Sequence, residues 1–256
     1  MQASMSLRIF LSHVRTPPLL SPDIVSNGSD KRFRTEIKAE KQEVRVCTNR
    51  TCRRQGSIQI LDALSGLAPP EVVVKSCGCL GRCGAGPNLV VLPGGKIFGY
   101  CATAARAAEV MLGLCSRGCD AGAISKALEG LALTQRVRSE LENGNFSQAE
   151  LVLSQAIDLE PLGGIHVMYR YRSLARLSMG NLSGALEDAT QALTLAPNYA
   201  EAYICQGDAF LAMAHYDLAE KSYSICLQVD PSLRRSKSFK ARIAKLQEKL
   251  AAVDRP

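Results

Sequence analysis

Residues 200–231 read AEAYICQGDAFLAMAHYDLAEKSYSICLQVDP. Tyr203, Gly207 and Phe210 fall at helical spacing, Ala214 interrupts, and Tyr216, Ala219 and Tyr223 resume the spacing up to Pro231. Two helices joined by a tight turn and closed by a proline account for that pattern. The pattern recurs upstream. Ala149, Ala185 and Ala219 stand 36 and 34 residues apart, as do Gly144, Gly180 and Ala214. The sets Ala156, Ala192, Cys226 and Pro161, Pro197, Pro231 keep the same intervals. A repeat of two helices cannot bury its apolar face alone, so the copies are expected to stack into a solenoid over residues 131–231.

In period and in these positions the segment resembles tetratricopeptide (TPR) repeats. The second copy departs from the pattern at Ser173 and Arg176, where a glycine and an aromatic are usual, and the first copy is weakest in its front helix. Stacked helix pairs leave a concave face of first-helix side chains, expected here to include Tyr169, Arg170, Arg172, Arg176, Tyr203 and Gln206, and to receive a protein partner. Arg172 and Arg176 stand one turn apart and raise the expectation of a carboxylate-bearing segment. Residues 232–256 continue as a basic capping helix, with Phe239, Ile243, Leu246, Leu250 and Val253 on its apolar stripe.

Residues 43–118 have a different grammar. Val44–Val46 alternates like a half-buried strand, Ile58, Leu61, Leu64 and Leu67 recur at helical spacing, and Val72–Val74 is short and wholly apolar. Leu89–Leu92, the Pro93-Gly94-Gly95 turn and Lys96–Tyr100 read as a hairpin, and Thr103–Cys115 as a helix. The expected order is β-α-β-β-β-α, a small α/β module joined to the repeats by a linker over 119–130.

Four cysteines sit on the loops after the first two strands, as Cys47-x4-Cys52 and Cys79-x3-Cys83. Loops that follow adjacent parallel strands leave the sheet at the same edge, so the four sulfurs are placed to converge. Four thiolates suit an iron–sulfur cluster or zinc, and buried or incidental thiols are the remaining reading. The glycines of Gly78–Asn88 would let backbone N–H groups approach the sulfurs. Together the paired motifs and the Cys79-Leu-Gly-Arg-Cys83-Gly-x-Gly-Pro run resemble the thioredoxin-like [2Fe–2S] ferredoxins, including the small cluster subunit of respiratory complex I. The resemblance implies an α/β thioredoxin-like fold, a [2Fe–2S] cofactor and the ligands Cys47, Cys52, Cys79 and Cys83. Cys77 would stand beside the ligands, and Arg50, Arg53, Arg54 and Arg82 would form a cationic rim or a solvated loop. Cys101, Cys115 and Cys119 read as packing residues.

Charge and composition limit the remaining readings. The 256-residue chain carries 31 Lys+Arg against 24 Asp+Glu. The excess sits in the last 25 residues and, less so, in the leader, leaving the centre near neutral and no footprint for nucleic acid. No apolar run reaches membrane-spanning length. Residues 1–22 are acid-free and serine-containing, so residues 1–42 read as an organelle transit peptide, for a chloroplast ahead of a mitochondrion. No nucleophile–base pair, carboxylate dyad or phosphate loop marks an enzyme. The expectation is a one-electron [2Fe–2S] carrier or sensor docked to a complex through its repeats. The alternative is an assembly factor or adaptor for an organellar complex, such as a photosynthetic one, in which the cluster is regulatory or structural.

Overall fold

A four-stranded sheet opens the structure, a computed structural model that describes residues 42–114, 121–161 and 163–253. The transit-peptide expectation therefore lies outside the described residues except for Gln42, and so do Cys115 and Cys119. Strand β1 (Gln42–Cys47) runs parallel to β2 (Val72–Cys77) and antiparallel to β3 (Leu89–Leu92), which pairs antiparallel with β4 (Lys96–Phe98). The order across the sheet is β2-β1-β3-β4. β1 is thus flanked on both sides, which matches the complete burial of Val44 and Val46. Helices α2 (Ser57–Leu67) and α3 (Ala104–Leu114) supply Leu64, Ala107 and Met111 to the same core.

The sequence reading finds these strands and both helices. It misses α1 (Arg50–Arg54), one turn inside the loop between Cys47 and Gln55. The Asn49 side chain accepts the Arg50 N–H at 2.6 Å, and that cap is what starts so short a helix. The hairpin's second strand ends at Phe98, because Gly99 and Tyr100 turn away: Tyr100 has φ 54°, and its N–H donates to the Ala85 carbonyl.

The expected linker over 119–130 is helical from Ala121 onward, as the first turns of α4 (Ala121–Glu142). Two glycines and weak amphipathicity hide this helix in the sequence. Its Ala127 and Leu131 are buried in the core of the sheet module, so the turns are held by tertiary packing rather than by propensity.

Six further helices follow: α5 (Phe146–Asp158), α6 (Ile165–Ser178), α7 (Leu182–Leu195), α8 (Ala200–Ala212), α9 (Tyr216–Val229) and α10 (Lys237–Val253). Consecutive helices pack as pairs in a TPR-like solenoid. The repeated alanines explain the close pairing: Ala149, Ala185 and Ala219 are fully buried. Gly207 serves the same end, since a Cβ there would overlap the Tyr223 ring. The turns between paired helices need a left-handed residue, supplied by Gly144 (φ 77°) and Gly180 (φ 80°) but by Ala214 (φ 62°) in the third copy.

Helix α10 covers the last repeat. Phe239 stacks edge-on against Tyr223 with ring centroids 5.7 Å apart, and Leu246 is buried beside them. Asp208 joins three helices: it accepts from Tyr223 Oη at 2.7 Å and from Arg242 Nε at 2.8 Å. Among the described residues no helix is long and apolar enough to cross a membrane.

The sheet module and the solenoid touch closely where the α5–α6 loop meets the end of α2. A Cβ on Gly163 or Gly164 would strike the carbonyls of Leu67 or Gly66, and the Gly164 N–H donates to the Ala68 carbonyl at 3.3 Å. Arg138 on α4 reaches Asp62 on α2 at 3.1 Å.

Candidate functional site

Two candidate sites emerge, one on each part. In the sheet module, Cys47 ends β1 and Cys52 lies on α1, both buried, while Cys79 and Cys83 stand exposed on the loop after β2. The parallel pairing of β1 with β2, in register Cys47↔Cys77, brings the two loops out at one edge. Cys79 Sγ lies 3.7 Å from Cys83 Sγ, and Cys52 and Cys79 both act on the ionisation of Cys47. Sulfur-directed donors surround them: Gly81 N–H to Cys79 at 3.4 Å and Asn88 Nδ2 to Cys52 at 3.6 Å. Gly86 is required beside Cys52, since a Cβ there would come 3.0 Å from its sulfur and overlap the Gln55 side chain.

The environment divides the thiols. Burial opposes ionisation of Cys47, but the backbone N–H groups of Asn49 and Leu80 and the bonds from Cys52 and Cys79 outweigh it, and its pKa falls. Burial pushes Cys52 up despite Asn88. Cys83 is raised by its hydrogen bond to Cys79 and by that neighbour's charge. Cys77 is raised by burial and then by the charge of Cys47.

The four thiols come out at one edge of the sheet, yet among the described residues no three Cys, His, Asp or Glu side chains close around a single metal position. The arrangement is an open chain with a pair at each end. Zinc asks for four ligands around one ion, whereas a two-iron cluster takes two thiolates per iron, so the residues present fit the second better.

In the solenoid, the expected concave residues divide into two stripes. Arg172, Ser173 and Arg176 point toward α5 and α7, and the Arg172 guanidinium lies over the Tyr169 ring. Arg172 holds Asp188 with two bonds, 3.0 and 2.8 Å, and Ser154 at 3.1 Å. Arg176 holds Glu150 at 2.7 Å and Asp188 at 3.0 Å. Asp188 is 1 % exposed, so both arginines are occupied inside the solenoid and are not offered to a partner. Gln206 accepts from Ser222, and Tyr203 Oη donates to the Pro197 carbonyl. The other stripe runs across the first helices. Arg138 Nε donates to Tyr171 Oη at 3.1 Å, and the Arg170 guanidinium lies 4.6 Å from the Tyr171 ring centre. The Cys205 thiol of α8 donates to the Arg170 carbonyl at 4.0 Å.

Arg138 and Tyr171 were missed from sequence. The signal that finds them is the repeat register: the consensus positions Tyr169, Ser173 and Arg176 form the packing stripe, so residues 170 and 171 must face elsewhere. Arg170 differs from the other two arginines of α6. Its Nε is buried without a hydrogen-bond partner, and no carboxylate among the described residues forms an ion pair with it.

No protein-family model matches the chain. It is 35% identical over 112 residues to an Hsp70-Hsp90 organizing protein of Triticum aestivum, 44% of this chain and 18% of that one. It is 31% identical over 88 residues to the Protein STIP1 homolog of Dictyostelium discoideum, 34% of this chain and 15% of that one. The chain thus spans less than a fifth of the length of either relative. A solved structure, the first TPR of Spaghetti (RPAP3) bound to HSP90 peptide SRMEEVD, is 22% identical with TM-score 0.43, covering 48% of this chain and 94% of that one. The relatives overturn the expectation of a one-electron iron–sulfur carrier. Their names are those of chaperone-organising and TPR proteins, and none is named for electron transport, a cluster, a chloroplast or an enzymatic reaction.

Proposed function

We propose that the chain is an adaptor, and that its solenoid holds a carboxylate-bearing segment of a partner protein on the face made by α4, α6 and α8. The row Arg138–Tyr171–Arg170 carries this reading: two guanidiniums share one tyrosine ring, and Arg170 forms no ion pair among the described residues, with the charge of Glu201 acting on it only from farther off. A partly desolvated guanidinium gains from a charge-assisted bond to a ligand carboxylate. The relatives' names make Hsp70- or Hsp90-type chaperones the partner class to try first. The test is fluorescence anisotropy of labelled SRMEEVD against the full chain. Saturable binding is expected, weakened at least tenfold by Arg170→Ala and by amidation of the peptide's carboxylates. Absence of binding, or binding indifferent to both changes, removes this reading.

We infer further that the sheet module is thioredoxin-like and that Cys47, Cys52, Cys79 and Cys83 hold a [2Fe–2S] cluster as a structural or regulatory part of the adaptor. The strand order β2-β1-β3-β4, the thiols at one sheet edge and the N–H groups on their sulfurs support it. When bound, the group would tie the β1 and β2 loops together through metal–thiolate bonds. Iron and sulfide in equal amounts after anaerobic purification are expected; zinc alone overturns the inference.

A further inference from the structure

Charge is sorted across the sheet. β1 and β2 are parallel, β3 is antiparallel to β1, and β4 is antiparallel to β3, so β1, β2 and β4 point the same way. Their carboxyl ends leave the sheet at one edge. Arg50, Arg53 and Arg54 follow β1 there, Arg82 follows β2, and Tyr100 follows β4. The acids of the strands lie at the other end. Glu43 is near the start of β1, where it holds Arg45 and Lys75, and Glu71 stands just before β2. Asp62 on α2 and Glu109 on α3 hold Arg138 and Arg106.

The four guanidiniums at the carboxyl edge are exposed, and none forms an ion pair or a side-chain hydrogen bond with another described residue. Arg50 opens α1, where a cation opposes the helix dipole, and Arg53 and Arg54 follow one turn later, at spacings where like charges repel. Local stability therefore does not account for the set. Tyr100 is 74% exposed, the most exposed large apolar side chain among the described residues. Its φ of 54° is one that a residue with a Cβ adopts at a cost. The Tyr100 N–H donates to the Ala85 carbonyl at 2.6 Å, which holds it against the loop that carries Arg82. An aromatic ring is thus kept in water, in a strained backbone, beside four unpaired cations.

We propose that this edge docks an acidic segment of a partner protein. Carboxylates of the segment pair with Arg50, Arg53, Arg54 and Arg82, whose planar forks suit bidentate bonds, and Tyr100 packs on its apolar part. A protein is the occupant, and not a nucleic acid, because every cation of these loops is arginine. No lysine occurs in residues 47–55 or 77–88, while α10 carries Lys237, Lys240, Lys245 and Lys249. Arginine and tyrosine are enriched at protein interfaces and lysine is depleted there, whereas phosphates are neutralised by either cation. The surface lies on other elements than the Arg138–Tyr171–Arg170 row and needs neither that row nor its partner.

The experiment is fluorescence anisotropy of a labelled, end-blocked dodecapeptide of repeating Asp-Glu-Leu-Gly against the full chain at fixed salt. Saturable binding is expected, at least tenfold weaker when Arg50, Arg53, Arg54 and Arg82 are all changed to Gln, and about threefold weaker for Tyr100→Ser. Arg170→Ala, and Lys240→Gln with Lys249→Gln, are expected to leave it unchanged, which separates this surface from the solenoid row and from α10. If the fourfold variant does not fold, Arg82→Gln and Tyr100→Ser alone decide the matter, each expected to weaken binding about threefold. Absence of saturable binding, or a loss that follows Arg170 or the α10 lysines instead, overturns the proposal. So does an oligothymidylate of equal charge that binds more tightly than the peptide through the same arginines.

Discussion

The two parts of the molecule use arginine in opposite ways. In the solenoid, Arg172, Arg176 and Arg242 turn inward onto Asp188, Glu150 and Asp208, joining helices that are distant in sequence. In the sheet module, Arg50, Arg53, Arg54 and Arg82 stand exposed around the cysteine loops, and no acidic residue occurs between Val44 and Leu61 or between Val72 and Ala108. The first set holds the fold together and the second leaves a cationic surface beside four thiols. Residue type and spacing look alike in the two sets. What differs is whether a carboxylate from another element arrives, and that is a tertiary fact.

The sharpest break of this contrast is Asp188→Ala. Asp188 is almost wholly buried and serves two guanidiniums at once, so its loss leaves both without their shared partner. Removing one member of a buried ion network costs about 3–5 kcal/mol, read as a lower urea midpoint of the solenoid. Charge reversal of Arg172 and Arg176 is expected to act the same way. It would unfold α6 against α7 and remove every partner together, so it does not report on recognition. A stability loss under 1 kcal/mol for Asp188→Ala would place these arginines back among the available ones.

His166 gives the next largest effect, at the junction of the two parts. Burial lowers its pKa to about 4, against a smaller opposing pull from Glu71, and Tyr199 packs on its ring. Between that value and the ordinary 6.5 the unfolded chain takes a proton that the folded chain refuses. Stability is therefore full above about pH 6.5 and falls on acidification toward pH 4, by roughly 3 kcal/mol at 1.36 kcal/mol per unit. Denaturant titrations across that range should show the loss in the unaltered chain and a flatter profile in His166→Gln. Equal slopes would mean that His166 is hydrated and that the junction is looser than its contacts indicate.

Legibility followed the range of the interactions. The strands, α2, α3 and the repeat helices are written in local periodicity, and the cysteine pairs in short spacing, so they could be read directly. The first turns of α4 could not, because Ala127 and Leu131 owe their burial to the sheet module some 60 residues earlier. The same holds for Arg172 and Arg176: Asp188 and Glu150 lie 12 to 26 positions away, on other helices. The function was misjudged for a related reason. A compact cysteine motif is loud in sequence, while the proposed binding row draws Arg138 from α4 and Arg170 and Tyr171 from α6, none of which belongs to the repeat's own pattern.

A smaller effect refines the solenoid side. Ala214 holds the left-handed turn that Gly144 and Gly180 hold in the other copies. An L-residue there costs about 1 kcal/mol, so Ala214→Gly should raise the unfolding midpoint, against the usual direction for a glycine substitution. A lower midpoint would show that the third turn relies on the alanine for packing.

The smallest expected effect bears on the other half of the comparison. Replacing Arg50, Arg53, Arg54 and Arg82 with alanine, singly, should alter stability by no more than about 0.5 kcal/mol each, as exposed positions without partners do. Arg53 and Arg54 stand in the last turn of the short α1, but Asn49 caps its start and Cys52 is its buried residue, so the helix is held from the inside. Thermal unfolding of each variant checks this. If these four changes cost as much as Asp188→Ala, the rim is part of the fold and the contrast between the two parts fails. If they cost nothing, the cationic edge beside the thiols is maintained for something other than stability.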